Sequence, residues 1–465
     1  METDTAAGLE RVFRNSLSLS AVDDDKKRDA GQVFTPLKLV DHMLDGLPQS
    51  VWKNPDLKWL DPAAGHGVFA AVAHRRLMAS LRAEIPDDRQ RSRHIIQNML
   101  YNIEYDPETV LDFRRVFKAI DPSAEPNLKT DDFVEWAKHP DRRQSYDVVM
   151  GNPPYNLAGL NKGGAFWMPF WAVFVLRSVD LLKKGGYLVM VHPPGWRKPA
   201  GTTVSAGDVL ARFQKDGGML RLAVDDRRKP PFPQVDHYVW KKGRRSKRTA
   251  VECWFGGEEH PPSTHDLSAI PFVPSLITPD SMSIVAKILN KPGKSRFQFV
   301  RDNRFRFTKD QASTNAPDAV PHVHYFNGLE YETLALDAEQ MKTMKVTTHY
   351  RKPKIVVTFN SPKKPGMLYP AFYDGKEPIG VTTNVAYEIV DPKRAPAFLS
   401  FLSSRLVRFL MLVTQYSAAP NRKNEIKVLN AIPRPAFQTP KTDKQIYKHY
   451  GLSNAQVALV ESLLL

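Results

Sequence analysis

Cysteine is almost missing from this chain of 465 residues: Cys253 stands alone, so no intrachain disulfide can form and a reducing compartment is the expected setting. Long apolar runs are missing too. The longest, "WMPFWAV" continuing to "FVL", is too short to span a bilayer. The opening "METDTAAGLERVF" is acidic and has no signal-peptide core. Together these absences set aside a disulfide scaffold and a membrane protein, and point to a cytoplasmic, non-secreted chain. No internal repeat and no low-complexity tract is visible. His192, in "MVHPPGW", has no His or Cys at ligand spacing nearby, so it reads as a loop histidine and no metal is expected. A nuclease cluster of the Asp…Glu-x-Lys kind is not found in the sequence either.

What is present in excess is positive charge. Lys and Arg number 66 against 50 Asp and Glu, a formal net charge of +16. A surplus of this size favours a polyanionic partner, nucleic acid first. Hydrophobic content of 42% and charged content of 25% are those of an ordinary globular protein, and the length suits two or three domains.

The first half alternates strand-like and helix-like segments. "LKWLD" (57–61), "MLYNIEYD" (99–106), "SYDVVMGN" (145–152) and "GGYLVMVHPP" (185–194) read as strands. Between them lie "GVFAAVAHRRLMASLRAE" (67–84), which reads as an amphipathic helix, "PETVLDFRRVFKAI" (107–120) with Pro at its start, and the apolar "FWMPFWAVFVLRSVDLLK" (166–183). This order implies right-handed crossovers and a doubly wound, mostly parallel α/β sheet. "VDHYVWKK" and "TAVECWF" suggest an antiparallel hairpin closing it. "GGEEHPPSTHD", near 258, reads as a linker. Residues 1–258 and 259–465 are therefore expected to form two domains, the second a mixed α+β body. Its clearest signals are the strands "KIVVTFN" and "VAYEIVD" and the helices "SMSIVAKILN" and "PAFLSFLSSRLVRFLMLVTQY".

Three acids fall at successive strand ends. Asp61 closes the first strand and is followed by Gly65 and Gly67 in "DPAAGHG"; glycines there let a ligand approach the backbone. The spacing, Asp-Pro-x-x-Gly-x-Gly, differs from the dinucleotide fingerprint. Glu104 ends the next strand, placed to accept hydrogen bonds from two ribose hydroxyls. Asp132, in "KTDDF", precedes the strand that ends in "NPPY" (152–155), with Phe133 beside it. That last motif puts an amide, a stiff proline pair and an aromatic ring at one strand end.

Taken in order, "FTP" (34–36), "DPAAGHG" (61–67), "IEYD" (103–106), "DDF" (131–133) and "NPPY" (152–155) resemble the gamma arrangement of S-adenosylmethionine-dependent DNA amino-methyltransferases. The resemblance covers about residues 28–258. Beyond them it rests on position, on basic and aromatic content, and on the closing "NEIKVLNAIPRP". It implies a Rossmann-like methyltransferase sheet followed by a target-recognition domain. It further implies that Phe34, Thr35 and Pro36 line the methionine part of the cofactor and that Asp61, Ala63, Gly65 and Gly67 cradle its end. Glu104 would hold the ribose, and Asp132 with Phe133 the adenine. Asn152, Pro153, Pro154 and Tyr155 would be catalytic. A duplex base has to be flipped out to react, so aromatic platforms are implied, with Tyr155 and Phe232 as candidates.

Double-stranded DNA is the partner so implied. "KKGRRSKR" (241–248), with Lys241, Lys242, Arg244 and Arg245, is a candidate phosphate contact or a solvated hairpin tip. "HYRKPK" (349–354) and "APNRKNEIK" (419–427) mix residue types suited to groove contacts. Adenine N6 is the expected methyl acceptor. Cytosine N4, an amide nitrogen of a protein glutamine, or a non-catalytic DNA-binding role are the alternatives. A separate restriction endonuclease, or a solitary protective role, fits the missing nuclease cluster.

Overall fold

The computed structural model describes residues 5–17, 35–155, 169–200, 206–225, 234–243, 245–291, 293, 295–301, 307, 311–312, 318–327, 329–344, 347–359, 365–416 and 423–464. Its contacts divide the chain into two compact units. Of the described residues, one takes in those up to Ile270 except 197–199; the other takes in that short segment and those from Pro271 onward.

The first unit is built on nine strands: β1 (Trp59–Asp61), β2 (Leu100–Glu104), β3 (Asn127–Thr130), β4 (Tyr146–Gly151), β5 (Leu182–His192), β6 (Gly217–Asp225), β7 (Val235–Lys242), β8 (Thr249–Phe255) and β9 (Glu258–His265). Their order across the sheet is β3-β2-β1-β4-β5-β7-β6-β8-β9. β1 through β5 pair in parallel, while β7 runs antiparallel to both its neighbours, β5 and β6. The central strands are continuous apolar runs because both faces are covered; β1 is buried at every residue. Strand order reverses between β1 and β4, so the helices of the two halves lie on opposite faces under the right-handed crossover rule.

Local chemistry sets the helix starts. Asp106 caps the helix Pro107–Ile120 by accepting from the Glu108 and Thr109 amides, and Pro107 fits its first turn. Val110, Phe113, Val116, Phe117 and Ile120 form its buried face. Gly67, at φ 87°, opens the helix Val68–Ser80, whose first six residues are all buried. That helix is more enclosed than its amphipathic pattern predicts.

The structure revises three expectations here. β7 and β8 form no hairpin: β7 inserts between β5 and β6, and β8 lies beyond β6 and parallel to it. The expected linker is mostly strand β9, paired antiparallel with β8 across a turn at Gly256 and Gly257 (φ 65° and 86°). Pro261 and Pro262 sit where the β8–β9 register shifts, on the sheet's edge, where a missing amide donor is tolerated. His192 is no loop residue. It ends β5 and is fully buried.

In the second unit the antiparallel sheet β10-β16-β13-β14 comprises Val300–Arg301, Val385–Ile389, Lys354–Thr358 and Ala371–Tyr373. A smaller sheet, β12-β11-β15, comprises Tyr331–Leu336, Val320–Phe326 and Gly380–Val381. The helix Pro279–Leu289 starts with a capping box between Thr278 and Ser281. The long helix expected after Pro396 is two, Ala395–Leu402 and Arg405–Val413, bent by 54°. Ser404 causes the break, because its hydroxyl caps the second helix through the Val407 amide. No single helix among the described residues is long and apolar enough to cross a membrane.

Candidate active site

The carboxyl ends of β1, β2 and β4 meet at the switch point, and their terminal residues build the site. β1 pairs with β4 through Leu60 and Val149, which sets Asp61 beside the end of β4, just before Asn152. Gly151 makes this approach possible: a Cβ there would stand 2.8 Å from Asp61 Oδ1. The requirement for glycine ahead of "NPPY" was missed from the sequence, although a small residue at that place was its visible signal.

Asp61 is 1% exposed. Its Oδ1 accepts from the Ala63 amide at 3.1 Å, while Oδ2 is buried with no hydrogen-bond partner. Burial pushes its carboxyl up to about 8; the Ala63 amide opposes the rise and Glu104 adds to it. Such a carboxyl is poised for a cationic or hydrogen-bonding partner that restores the charged form.

Glu104 is braced by backbone: Oε2 accepts from the Gly65 amide at 2.8 Å and Oε1 from the Asp106 amide at 2.9 Å. Burial raises its pKa, and the bonds from Asp106, Gly65 and Tyr105 oppose that rise. It therefore fastens the glycine turn to the end of β2, and each oxygen keeps a lone pair for a hydroxyl. Gly65 takes φ 53°, with nothing near the position a Cβ would fill. Gly67 is closed on the other side, because a Cβ would meet Phe113 at 2.9 Å. One glycine thus leaves open space and the other packs the helix against its neighbour.

Asp132 caps the helix Phe133–Trp136, its Oδ1 accepting from Val134 at 2.8 Å and Glu135 at 3.3 Å. Phe133 is buried against Phe174, with ring centroids 4.8 Å apart, so much of its surface is core. Ala63 and Pro36 are half-exposed and exposed beside this edge.

At the end of β4, Asn152 Nδ2 donates to Thr35 Oγ1 at 3.0 Å. Its Oδ1 is buried with no hydrogen-bond partner. Pro153 is buried, Pro154 half-buried, and Tyr155 is 9% exposed. On the neighbouring strand His192 stacks on Trp171 at 4.2 Å, with Nδ1 3.0 Å from the Pro193 carbonyl and Nε2 2.8 Å from the Tyr238 hydroxyl. Burial pushes its pKa down to about 3, so it is a neutral packing group. Trp196 donates to Asp236 Oδ2 at 2.7 Å in the same layer.

The structure does not bring every expected residue to this edge. Phe34, Phe232 and Arg244 lie outside the described residues. β7 runs antiparallel, so Lys241 pairs with Tyr187 and Lys242 with Gly217, at the opposite edge of the sheet. Tyr187 is five residues before the end of β5, roughly 17 Å of strand. Lys242 Nζ donates to the Val179 and Leu182 carbonyls, both at 2.7 Å, where the helix Phe170–Leu181 ends. Lys241 lies 4.9 Å over the Tyr187 ring. These two lysines make structural contacts at the edge opposite Asp61 and Asn152. Arg245 is exposed there too.

In the second unit, His349, Tyr350 and Lys354 of "HYRKPK" are buried, with Lys354 Nζ donating to the His349 and Tyr350 carbonyls; only Arg351 and Lys352 are exposed. Asn424 is buried and donates to the Met367 carbonyl at 2.7 Å, leaving Lys423 exposed.

Comparison with known proteins places this edge in context. Residues 68–208 match the family model described as Eco57I restriction-modification methylase. A protein of Mycoplasma pneumoniae described as an uncharacterized adenine-specific methylase is 27% identical over 296 residues, covering 46% of this chain and 68% of that protein. The type II methyltransferase M.HincII of Haemophilus influenzae is 25% identical over 187 residues, 37% of this chain and 29% of that protein. The chain thus spans about two thirds of the first relative and under a third of the second. Among solved structures, a modification subunit of a putative type I restriction enzyme from Vibrio vulnificus has a TM-score of 0.41 at 14% identity, covering 55% of this chain and 54% of that one.

Proposed function

We propose that this chain, which carries a methylase domain of the Eco57I restriction-modification type across residues 68–208, transfers a methyl group from S-adenosylmethionine to the N6 amine of a flipped-out adenine in double-stranded DNA. One observation carries the reading. Asn152 Oδ1 is a buried acceptor with no partner, at the end of β4 beside Asp61. Leaving such a group unpaired is costly, and a ligand donor offsets that cost.

The residues at the carboxyl edge fit the cofactor. Asp61 Oδ2 is an orphaned acceptor, Gly65 leaves room beside it, and Glu104 keeps lone pairs for hydroxyls. Asp61 with the glycine turn would take the methionine end, Glu104 the ribose, and Asp132 the adenine amine. When bound, S-adenosylmethionine supplies an electrophilic methyl group on a sulfonium. The chain's own task is to make the amine reactive. An exocyclic amine is a poor nucleophile because its lone pair is delocalised into the ring. Asn152 Oδ1 and the Pro153 carbonyl each accept one amine hydrogen, which draws the nitrogen toward tetrahedral geometry and localises the lone pair. The proline pair keeps both acceptors aimed, an effect of positioning and preorganised dipoles. Neither acceptor is a strong base, so the displaced proton leaves to water. Tyr155 supplies a stacking face for the base.

Adenine is preferred over cytosine because the Mycoplasma relative is described as adenine-specific. Sequence selection is assigned to the second unit, where Arg301 lies 3.9 Å over the Phe359 ring and Lys423 5.5 Å from it. The test is expression in a host lacking adenine methylation, followed by methylation-sensitive sequencing of its DNA. N6-methyladenine at one recurring site is expected. Unmodified DNA alongside soluble, folded protein would overturn the reading.

A further inference from the structure

Thr35 stands 117 residues before Asn152 in sequence yet meets it at 3.0 Å; Thr35 is buried, and so is the Oδ1 atom of the half-buried Asn152. Thr35 is held in place through the helix that follows it. In the helix Leu37–Leu44, Asp41 accepts from Arg75 and Arg76 of the helix Val68–Ser80. His42 Nε2 lies 2.7 Å from Glu252 of β8, and its carbonyl accepts from Arg221 of β6 at 3.1 Å. The hydroxyl of Thr35 is therefore at a fixed point against the end of β4.

A hydroxyl both donates and accepts. Toward an amide it can accept from Nδ2, which turns Oδ1 outward, or donate to Oδ1, which turns Nδ2 outward. Only the first orientation offers an acceptor to a target amine. What selects between them is the destination of the hydroxyl hydrogen. If that hydrogen is given to another acceptor, the oxygen is left able only to accept, and the amide orientation is set.

We infer that Thr35 is a positioning residue that relays cofactor occupancy to the target-base acceptor, donating its hydroxyl hydrogen to the cofactor's carboxylate while its oxygen holds Asn152 Nδ2. This rests on the proposed methyl transfer. It differs from a plain lining role for Thr35, because its effect falls on the base through Asn152. Cofactor binding then prepares the amine acceptor, and capture of the flipped base is coupled to cofactor presence.

The test compares wild type with Thr35→Val, which keeps the shape and loses the hydroxyl, and with Thr35→Ser, which keeps the hydroxyl. Fluorescence of 2-aminopurine at the target position reports base extrusion without turnover. It is read with and without S-adenosylhomocysteine, which retains the carboxylate. In wild type and Thr35→Ser the ligand should raise the extruded signal. In Thr35→Val that enhancement should vanish, and the single-turnover rate at saturating cofactor should fall roughly 10-fold. Adding Thr35→Val to Asn152→Ala should cause no further loss of extrusion. Full ligand enhancement in Thr35→Val, or a Thr35→Ser variant as impaired as Thr35→Val, would overturn the relay. So would a Thr35→Val defect that disappears once cofactor is saturating. If wild type methylates DNA while any of these is seen, the relay alone falls; if wild type methylates nothing, the proposed function falls first.

Discussion

The two edges of the nine-stranded sheet use similar polar residues to opposite ends. At the amino edge polar groups are closed upon one another. Lys242 saturates the carbonyls at the end of the helix Phe170–Leu181, Arg212 bridges Asp180 and Asp216, and Lys183 pairs with Asp147 at 2.9 Å. At the carboxyl edge, Asp61 Oδ2 and Asn152 Oδ1 are buried and left open. Both edges carry charge, so charge alone does not mark the site. What the carboxyl edge adds is two buried open acceptors at adjacent strand ends, each with its other polar atom already held. Asp61 is aimed by the Ala63 amide and Asn152 by Thr35.

The largest way to break this comparison, short of removing Asn152, is to close the first open acceptor. Asp61→Ala should weaken S-adenosylmethionine binding roughly 10- to 100-fold, as calorimetry would measure, because a buried polar contact is lost. The same residue makes a pH prediction. Its folded pKa, about 8, lies above the ordinary carboxyl value, so the folded state holds a proton that the unfolded chain releases between about pH 4 and 8. This contribution to ligand-free stability is present at low pH and lost as pH rises through that window. Thermal melts should show Asp61→Asn stabilised relative to wild type at pH 8, and much less so at pH 5. Equal differences at both values would mean that Asp61 is not held protonated by burial.

Opening the closed edge should act on stability alone. Lys242→Met leaves two carbonyls without their charged donor, and a melting temperature lower by about 2–4 °C is expected. Methylation rate at 25 °C should not change; a rate loss without a stability loss would place Lys242 in the functional surface after all. The smallest effect is expected at the exposed turn. Replacing Arg245, Lys247 and Arg248 by Ala should alter the salt dependence of binding to a short target duplex by less than the roughly 0.9 slope of a single phosphate contact. A drop equal to two or three contacts would instead make this turn a phosphate contact.

Sequence reading reached the carboxyl edge because its signals are local. β1, β2, β4 and β5 announce themselves as apolar runs, and Asp61, Glu104 and Asn152 each stand at the end of one. The misreadings fall where pairing is long-range. β3 is a four-residue edge strand of half-exposed and exposed residues, and gives no apolar signal. β6 opens on two glycines and was passed over, so β7 was joined to β8 as a hairpin when its partners are β5 and β6. β9 was hidden by Pro261 and Pro262, which an edge strand tolerates at a bulge and a central strand does not. The Thr35–Asn152 bond could not be foreseen from spacing, because only the folded sheet brings those residues together.

The measurement closest to the centre of this account is single-turnover methyl transfer by Asn152→Ala, with cofactor affinity determined on the same preparation. If Asn152 Oδ1 is the open acceptor for the target amine, the rate should fall at least about 100-fold, the scale of removing a preorganised hydrogen-bonding group from a reacting centre. Affinity for S-adenosylmethionine should stay near that of wild type, since Asp61 and Glu104 are untouched. A variant that keeps the wild-type rate, or one whose rate loss is matched by an equal loss of cofactor affinity, would contradict the assignment.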